Sequence, residues 1–311
     1  MNRRLIIPSR LQAGDKVAFV SPAGMARPHD VFAAARVLER CGLEAVVMPH
    51  ALGRCGSFSG TLAERADDFL CAWTDPEIRA VICTRGGYGA VQLLEILDSV
   101  PLRDNAKWLV GFSDICVLHA LMHRHGIASI HGPMARHISE CDGATDNFRQ
   151  LLGILTEGTL SHTFAPHPFN RTGECQAPLA GGNVSVLSAL EATRFNILRP
   201  STVLLLEDIS EPVYKIERLL YQLRLSGVLG SISGLLVGQF TNTPPDINHH
   251  SMESMIRDMT SGYDYPVAFN VPVGHGGHAM PLIESAPLIL SVTDTCVRIK
   301  HTLRSSCTIQ M

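Results

Sequence analysis

Strand-like and helix-like segments alternate along the first half of the chain. The strand-like segments are short apolar runs, and the helix-like ones repeat apolar residues every three or four positions. Such alternation predicts an α/β domain with a mainly parallel sheet covered on both faces. In order, the segments are "KVAFVS" (16–21), "DVFAAARVLERCG" (30–42), "LEAVVMP" (43–49), "LAERADDFLCAWT" (62–74), "RAVICT" (79–84), "AKWLVG" (106–111), "DICVLHALMHRHG" (114–126) and "IASIHGP" (127–133).

The composition of the chain changes after residue 150, where "TFAPHPFNRTGECQAPLAGGN" (163–183) is rich in Pro, Gly and polar residues. We therefore predict a first domain over 1–150, a linker over 151–178 and a second domain over 179–311. The second domain is also predicted to be α/β. Its helices are "NVSVLSALEAT" (183–193) and the amphipathic "EPVYKIERLLYQLRLSG" (211–227), and its strands are "STVLLLE" (201–207), "SGLLVGQF" (233–240), "APLILSV" (286–292) and "TCVRIKH" (295–301).

Composition excludes several classes of partner. The 311 residues carry a formal net charge of −3, so no basic surplus is available to bind nucleic acid. No apolar run approaches the roughly 18 residues of a membrane span, and the start is too short in apolar residues for a signal peptide. The nine cysteines include no CxxC pair and lie mostly in apolar runs, which favours a reducing cytoplasm.

Ser113 follows an apolar run and Gly111-Phe112, and a helix-like segment comes after it. A tight strand-to-helix turn at this point would expose the hydroxyl and aim backbone N–H groups from the start of the helix at the same place, as a nucleophile requires. The simpler interpretation is that Ser113 or Asp114 caps the helix. This segment alone leaves both open.

The segment "TRGGYGA" (84–90) ends the preceding strand. Adjacent Gly86 and Gly87, next to Arg85, would let the backbone approach a ligand closely and point N–H groups at it. A plain turn is the alternative. The segment is neither GxGxxG nor a phosphate-binding P-loop, so a nucleotide cofactor is not indicated.

Glu207 and His275 are the remaining candidates for acid–base chemistry. Glu207 ends a strand that would be buried, and a buried carboxylate needs a partner, either a histidine or a nearby cation such as Lys215 or Arg218. His275 and His278 lie in the glycine-rich loop "NVPVGHGGHAMPL" (270–282). Their spacing is weak evidence for a metal, so we expect one loop histidine to act as a base, with neither metal nor cofactor.

Taken together, "GFSD", "RGGYGA", "LAGGN", "LLLEDISEPVYKIERLLYQL" and "VPVGHG" resemble the LD-carboxypeptidase family of serine peptidases over nearly the full length. That family includes muramoyltetrapeptide carboxypeptidases and the self-immunity enzymes that cleave microcin C. The resemblance implies an N-terminal Rossmann-like (flavodoxin-like) parallel-sheet domain bearing the serine. It also implies a C-terminal α/β domain of the swivelling type that bears the acid and the histidine.

Residue by residue, the resemblance assigns Ser113 as nucleophile, Glu207 as acid and His275 as base. It assigns the backbone N–H groups of Asp114 and Gly87 as oxyanion donors.

The expected substrate contacts are less specific. Arg85 and Gly86 are expected beside the substrate. Asn183, in "LAGGN", is a further candidate, although it could equally cap the following helix. One departure from the family is Ile283, which stands where relatives often have glycine after Pro-Leu.

The resemblance implies hydrolysis of the L,D bond between meso-diaminopimelate and terminal D-alanine in murein tetrapeptides. The alternative within the family is a microcin-type peptidase for aminoacyl or peptidyl nucleotides. A non-catalytic Rossmann-type binder that uses "TRGGYG" is the alternative outside it. The expected partner is a murein peptide, and the family also points to a possible homodimer.

Overall fold

The structure, a computed structural model, describes residues 4–277 and 279–301, so His278 lies outside the described residues. No helix in those two ranges is long and apolar enough to cross a membrane. The elements in the first half are β1 (Lys16–Val20), α1 (Pro28–Arg40), β2 (Glu44–Val47), α2 (Leu62–Thr74), β3 (Ile78–Cys83), α3 (Leu94–Asp98), β4 (Trp108–Gly111), α4 (Cys116–Arg124), β5 (Ser129–His131), α5 (Ala135–Ser139) and α6 (Asp146–Glu157). They are followed by β6 (Leu160–Phe164), β7 (Gly173–Asn183), α7 (Val184–Ser188), β8 (Val203–Ile209), α8 (Val213–Leu225), β9 (Gly234–Thr241), α9 (Met252–Thr260), β10 (Val267–Ala268), β11 (Leu282–Glu284), β12 (Pro287–Val292) and β13 (Val297–His301).

The first of two compact units comprises residues 4–159 and 280–283 of the described chain. Its sheet has the strand order β11-β5-β4-β3-β1-β2, and the pairs from β5 to β2 are all parallel. The order 2-1-3-4-5 is that of flavodoxin-like sheets, so the predicted fold class is confirmed. In such sheets ligands bind beyond the carboxyl ends of the strands, where the order reverses between β1 and β3.

The second unit comprises residues 160–279 and 284–301, apart from the undescribed position. Its sheet has the order β10-β9-β8-β7-β12-β13-β6. The pairs from β10 to β7 are parallel, whereas β7, β12, β13 and β6 pair antiparallel in succession. The parallel half carries Asn183 and Glu207 at the carboxyl ends of adjacent strands, in register with each other.

The predicted linker over 151–178 differs from what the structure contains. Helix α6 runs through the first part of it and ends at Gly158, which is in the left-handed conformation. The chain enters the second unit at Leu160, and the remainder supplies β6 and the start of β7. The Pro- and Gly-rich stretch therefore contains the connection between β6 and β7. These two strands pair with β13 and β12, which lie far away in sequence, so local composition does not show that they are strands.

His119 joins three elements of the first unit beneath the end of β4. It lies on α4, is fully buried, and its Nε2 is 2.9 Å from the Gly111 carbonyl oxygen. Since a carbonyl only accepts, Nε2 carries the proton, and Nδ1 accepts from the Ser129 hydroxyl at 2.8 Å. Burial lowers the pKa of His119 to about 4, so the neutral imidazole is the folded form.

This histidine predicts a loss of stability in acid. Its pKa in the folded protein lies below the ordinary value of 6.5, so the unfolded chain takes up the proton first as pH falls from 6.5 towards 4. The free energy of unfolding should fall by about 1.4 kcal/mol per pH unit across that window. His119→Gln keeps a donor and an acceptor but does not titrate. The drop between pH 7 and pH 5, measured by urea denaturation, should be smaller in this variant by on the order of 2 kcal/mol; an equal drop in both proteins would contradict the assignment.

Candidate active site

Ser113 lies in a strained turn between β4 and α4. The preceding Phe112 is extended, with φ −154° and ψ −171°, and Ser113 then adopts φ 65°. A serine in this left-handed region is uncommon, and such strain is concentrated at functional turns. A Cβ on Gly111 would stand only 2.8 Å from the Ile115 side chain, so this tight reversal requires glycine. The backbone is that of a strand-to-helix elbow that presents a hydroxyl.

The helix-cap interpretation is not supported within the described residues. Phe112 occupies the cap position of the 3₁₀ turn Ser113–Ile115, and no side chain caps that turn or α4. The carboxylate of Asp114 faces a different segment, since its Oδ2 accepts a hydrogen bond of 2.8 Å from the backbone N–H of Ala90. Ser113 is partly exposed and Asp114 is buried.

The glycine-rich loop after β3 lies directly against this turn. The N–H of Gly24, beyond the end of β1, donates to the Gly86 carbonyl at 2.9 Å, which fixes the loop at the β1/β3 reversal point. A Cβ on Gly86 would be 2.8 Å from Cβ and 3.0 Å from Oγ of Ser113, and 3.3 Å from the Asp114 nitrogen. Gly87 has φ 105°, which an L side chain rarely adopts. The exposed Arg85 beside them donates to the Met25 carbonyl at 3.0 Å.

Glu207 and His275 form a hydrogen-bonded pair in the second unit, with 2.8 Å between Oε2 and Nδ1. Glu207 is fully buried at a β-bulge, where the register between β8 and β9 shifts. Burial raises the pKa of Glu207, and the hydrogen bond from His275 opposes that shift. Because a carboxylate accepts, Nδ1 carries the proton and Nε2 is left as the basic nitrogen.

The alternative partners of Glu207 are engaged elsewhere. Lys215 pairs with Glu211 at 2.8 Å, and the Arg218 guanidinium lies over the Tyr214 ring. Of the two interpretations of Glu207, the structure therefore agrees with the one in which its partner is a histidine.

Two glycines bring the histidine loop onto this carboxylate. Gly274 has φ 114°, and a Cβ there would lie 2.7 Å from Oε2 of Glu207. A Cβ on Gly238 would lie 2.8 Å from the Val273 carbonyl. The loop is fastened to β9 by a hydrogen bond of 2.9 Å from the Gln239 N–H to that same carbonyl. Sequence reasoning missed Gly238, although the glycine inside the strand-like run "LLVGQF" is the kind of signal that marks a close approach.

Comparison with known proteins agrees with both halves of this description. A model of the LD-carboxypeptidase N-terminal domain matches residues 17–132, and a model of the LD-carboxypeptidase C-terminal domain matches residues 176–289. The murein tetrapeptide carboxypeptidase of Pseudomonas aeruginosa is 32% identical over 270 residues, which cover 84% of this chain and 88% of that protein. The chain belongs to the LD-carboxypeptidase family. It is therefore a peptidase, and the predicted resemblance is confirmed.

Two further relatives of this chain have names that describe different substrates. The crystal structure of muramoyltetrapeptide carboxypeptidase from Oxalobacter formigenes superposes with a TM-score of 0.85 at 26% identity, covering 94% of this chain and all of that one. The microcin C7 self-immunity protein of Escherichia coli is 24% identical over 270 residues, which cover 75% of this chain and 78% of that protein.

Asn183 fills the helix-cap role considered for it, and its contact with substrate stays a prediction. Its side chain caps α7 by accepting from the Val186 N–H at 3.1 Å, and it donates to Oδ1 of Asp208 at 3.0 Å. It also forms a hydrogen bond with Glu207 that lowers the pKa of that carboxyl. Sequence reasoning missed Asp208, which is buried and accepts from the Ser185 N–H at 2.9 Å.

The departure at Ile283 is accommodated within a strand. Ile283 is fully buried in β11, which adds to the edge of the first unit's sheet beside β5. Pro281 is close to the same sheet edge, because a Cβ on Gly132 would lie 3.1 Å from the proline Cβ.

The contact between Gly86 and Ser113 makes a prediction. In Gly86→Ala the new methyl group would have to displace the serine or the loop, and displacements of about 1 Å can cost on the order of 10² in rate. We expect peptidase activity and fluorophosphonate labelling of Ser113 to fall by about that factor.

Gly153→Ala is the matched control, because Gly153 lies inside α6 and a Cβ there meets no atom within 4 Å. It should label at the wild-type rate. Equal labelling of the two alanine variants would show that Gly86 does not limit access to Ser113.

Proposed function

We propose that this LD-carboxypeptidase is a serine enzyme that releases the terminal D-alanine from murein tetrapeptides during cell-wall recycling. The observation that carries the proposal is the positive φ of Ser113, which presents the hydroxyl beside Gly86 and the Asp114 nitrogen. Support for the substrate comes from the relatives named for murein tetrapeptides. In this role the enzyme acts in the cytoplasm, in keeping with the cysteine pattern, and a homodimer is the assembly that the family resemblance favours.

The first half of the reaction forms an acyl-enzyme. Oγ of Ser113 attacks the carbonyl carbon that joins meso-diaminopimelate to D-alanine, while Nε2 of His275 accepts the hydroxyl proton. When the tetrahedral intermediate collapses, the C–N bond breaks and His275 returns that proton to the leaving D-alanine amine. In the second half, water replaces the amine: His275 takes a proton from it, the resulting hydroxide attacks the ester, and Ser113 recovers its proton.

The carboxylate of Glu207 fixes which imidazole nitrogen is basic. By accepting from Nδ1 at 2.8 Å it orients the ring and stabilises the imidazolium that forms during attack. Its complete burial strengthens this interaction, because little water is present to screen it.

The negative oxygen of the tetrahedral intermediate requires hydrogen-bond donors. The backbone N–H groups of Asp114 and Gly87 are the proposed donors, and removing one such donor typically costs about 10²–10³ in rate. Both lie on segments that meet beside Ser113, as the short distances around Gly86 indicate.

Substitution of the proposed triad tests the mechanism. Ser113→Ala, His275→Ala and Glu207→Gln should each lower kcat by on the order of 10³-fold or more, with the mildest effect at Glu207. His249→Ala and Glu217→Gln make a matched control, since these residues form a 3.4 Å histidine–glutamate pair elsewhere in the second unit. Activity that survives His275→Ala but not the control change would refute the assigned base.

A panel of defined peptides tests the substrate. We expect release of D-alanine from L-Ala-γ-D-Glu-meso-Dap-D-Ala, measured by mass analysis of the products. Little cleavage is expected of the analogue ending in L-alanine or of the D,D bond of a pentapeptide, because the wrong configuration misplaces the carbonyl relative to Ser113.

The same panel, extended by an aminoacyl nucleotide, tests the two alternative functions. A higher kcat/KM for an acidic aminoacyl nucleotide than for the tetrapeptide would favour the microcin-type activity and leave the triad standing. Binding of peptides without hydrolysis, together with no fluorophosphonate labelling of Ser113, would favour a non-catalytic binder.

A further inference from the structure

The side chain of Asp114 has a role separate from the backbone N–H of the same residue. Asp114 is 5% exposed, and its Oδ2 accepts from the N–H of Ala90 at 2.8 Å. Burial raises the pKa of this carboxyl, while the Ala90 hydrogen bond and the nearby Arg65 charge oppose the shift. The carboxylate therefore links the nucleophile turn directly to the glycine-rich loop.

Arg65 holds the same part of the loop from the other side. The guanidinium is buried, and its Nη1 donates to the carbonyls of Gly89 at 3.0 Å and Pro22 at 2.8 Å. It also lies over the Phe58 ring, 4.7 Å from the ring centroid. The loop is thus held at the Ala90 N–H by Asp114 and at the Gly89 carbonyl by Arg65.

The Gly24 N–H already fastens the loop at the Gly86 carbonyl, but the residues after Gly86 offer few buried side chains to hold them. Gly87 and Gly89 have φ values of 105° and 122°, and Tyr88 between them is 60% exposed. Glycine backbone is costly to order, and this stretch buries no large side chain that would offset the cost.

We infer that the Asp114 carboxylate is a positioning residue that sets the spacing of the oxyanion donors. The inference rests on the proposed function, in which the donors are the N–H groups of Asp114 and Gly87. One donor belongs to the same residue as the carboxylate, and the other lies three residues before Ala90, whose N–H the carboxylate binds. A single hydrogen bond therefore connects the two segments that carry the donors.

Substitution by asparagine tests this role. Asp114→Asn removes the negative charge, and the amide oxygen that remains is a weaker acceptor for the Ala90 N–H than a carboxylate oxygen. The loop should shift, so we expect kcat for the tetrapeptide to fall by about 10²-fold while KM changes by less than about threefold. The second-order rate of fluorophosphonate reaction with Ser113 should fall in parallel.

Asp68→Asn separates this effect from a general loss of stability. Asp68 is a buried carboxylate of the same unit that accepts from the His50 N–H at 3.0 Å, and within the described part of the chain its hydrogen bonds go to His50 rather than to the loop or Ser113. Its variant should lose thermal stability to a similar degree and keep kcat. If both variants lowered kcat in proportion to their loss of stability, the positioning role would be wrong.

A double-mutant cycle identifies the group on which Asp114 acts. Gly87→Ala is strained at φ 105° and should itself displace the donor. Asp114→Asn should then cost far less in the Gly87→Ala background than in the wild type, because the donor is already misplaced. Additive losses, or an unchanged kcat in Asp114→Asn, would overturn this role and leave the proposed function intact. A wild-type protein that neither hydrolyses peptides nor labels at Ser113 would instead remove the proposed function, and this role with it.

Discussion

The first unit depends on backbone segments that approach too closely to admit side chains. At or just beyond the carboxyl ends of β1, β3 and β4, the chain carries Gly24, Gly86 and Gly111, and a Cβ on any of them would lie within 3 Å of a neighbouring atom. Parallel strands end together at one edge of a sheet, so the loops that follow them are crowded. Glycine, which has no side chain, lets these loops approach one another. The strained backbone of Ser113 is tolerated because β4 and the buried α4 fix the residues on both sides of it.

In the second unit, glycines at close backbone approaches bring a buried carboxylate and its partner together. A fully buried carboxylate is unfavourable without a partner, and Glu207 obtains its partner only because Gly274 and Gly238 let the histidine loop lie against β8 and β9. A side chain at either glycine would push His275 away and leave the charge uncompensated. Gly238 and Gly274 therefore make room for the hydrogen bond between His275 and Glu207.

The sequence predicted much of this architecture, and each exception has a physical reason. The alternating pattern predicted the parallel sheet of the first unit, and the family resemblance assigned Ser113, Glu207 and His275 as the proposed triad without any geometry. Strand β7 was not predicted because Pro178, Gly181 and Gly182 are residues typical of loops. It is nevertheless the central strand of the second sheet, where the parallel and antiparallel halves join. Its partners β8 and β12 lie on opposite sides of it and far apart along the chain, so local composition contains no sign of the pairing. Helix α7 is shorter than predicted. Its pattern of apolar residues continues past Ser188, although the backbone leaves the helix and turns there.

Two buried carboxylates in this molecule have different proposed roles because they differ in partner. Glu207 faces the imidazole of the proposed base, so in the proposed mechanism its negative charge acts on a group that gains and loses a proton. Asp114 faces backbone N–H groups, which do not titrate, so its charge can only hold them in place. Burial strengthens both interactions equally well, since each excludes water from a charged acceptor. The nature of the donor, more than the depth of burial, therefore decides whether such a carboxylate supports proton transfer or fixes the backbone around it.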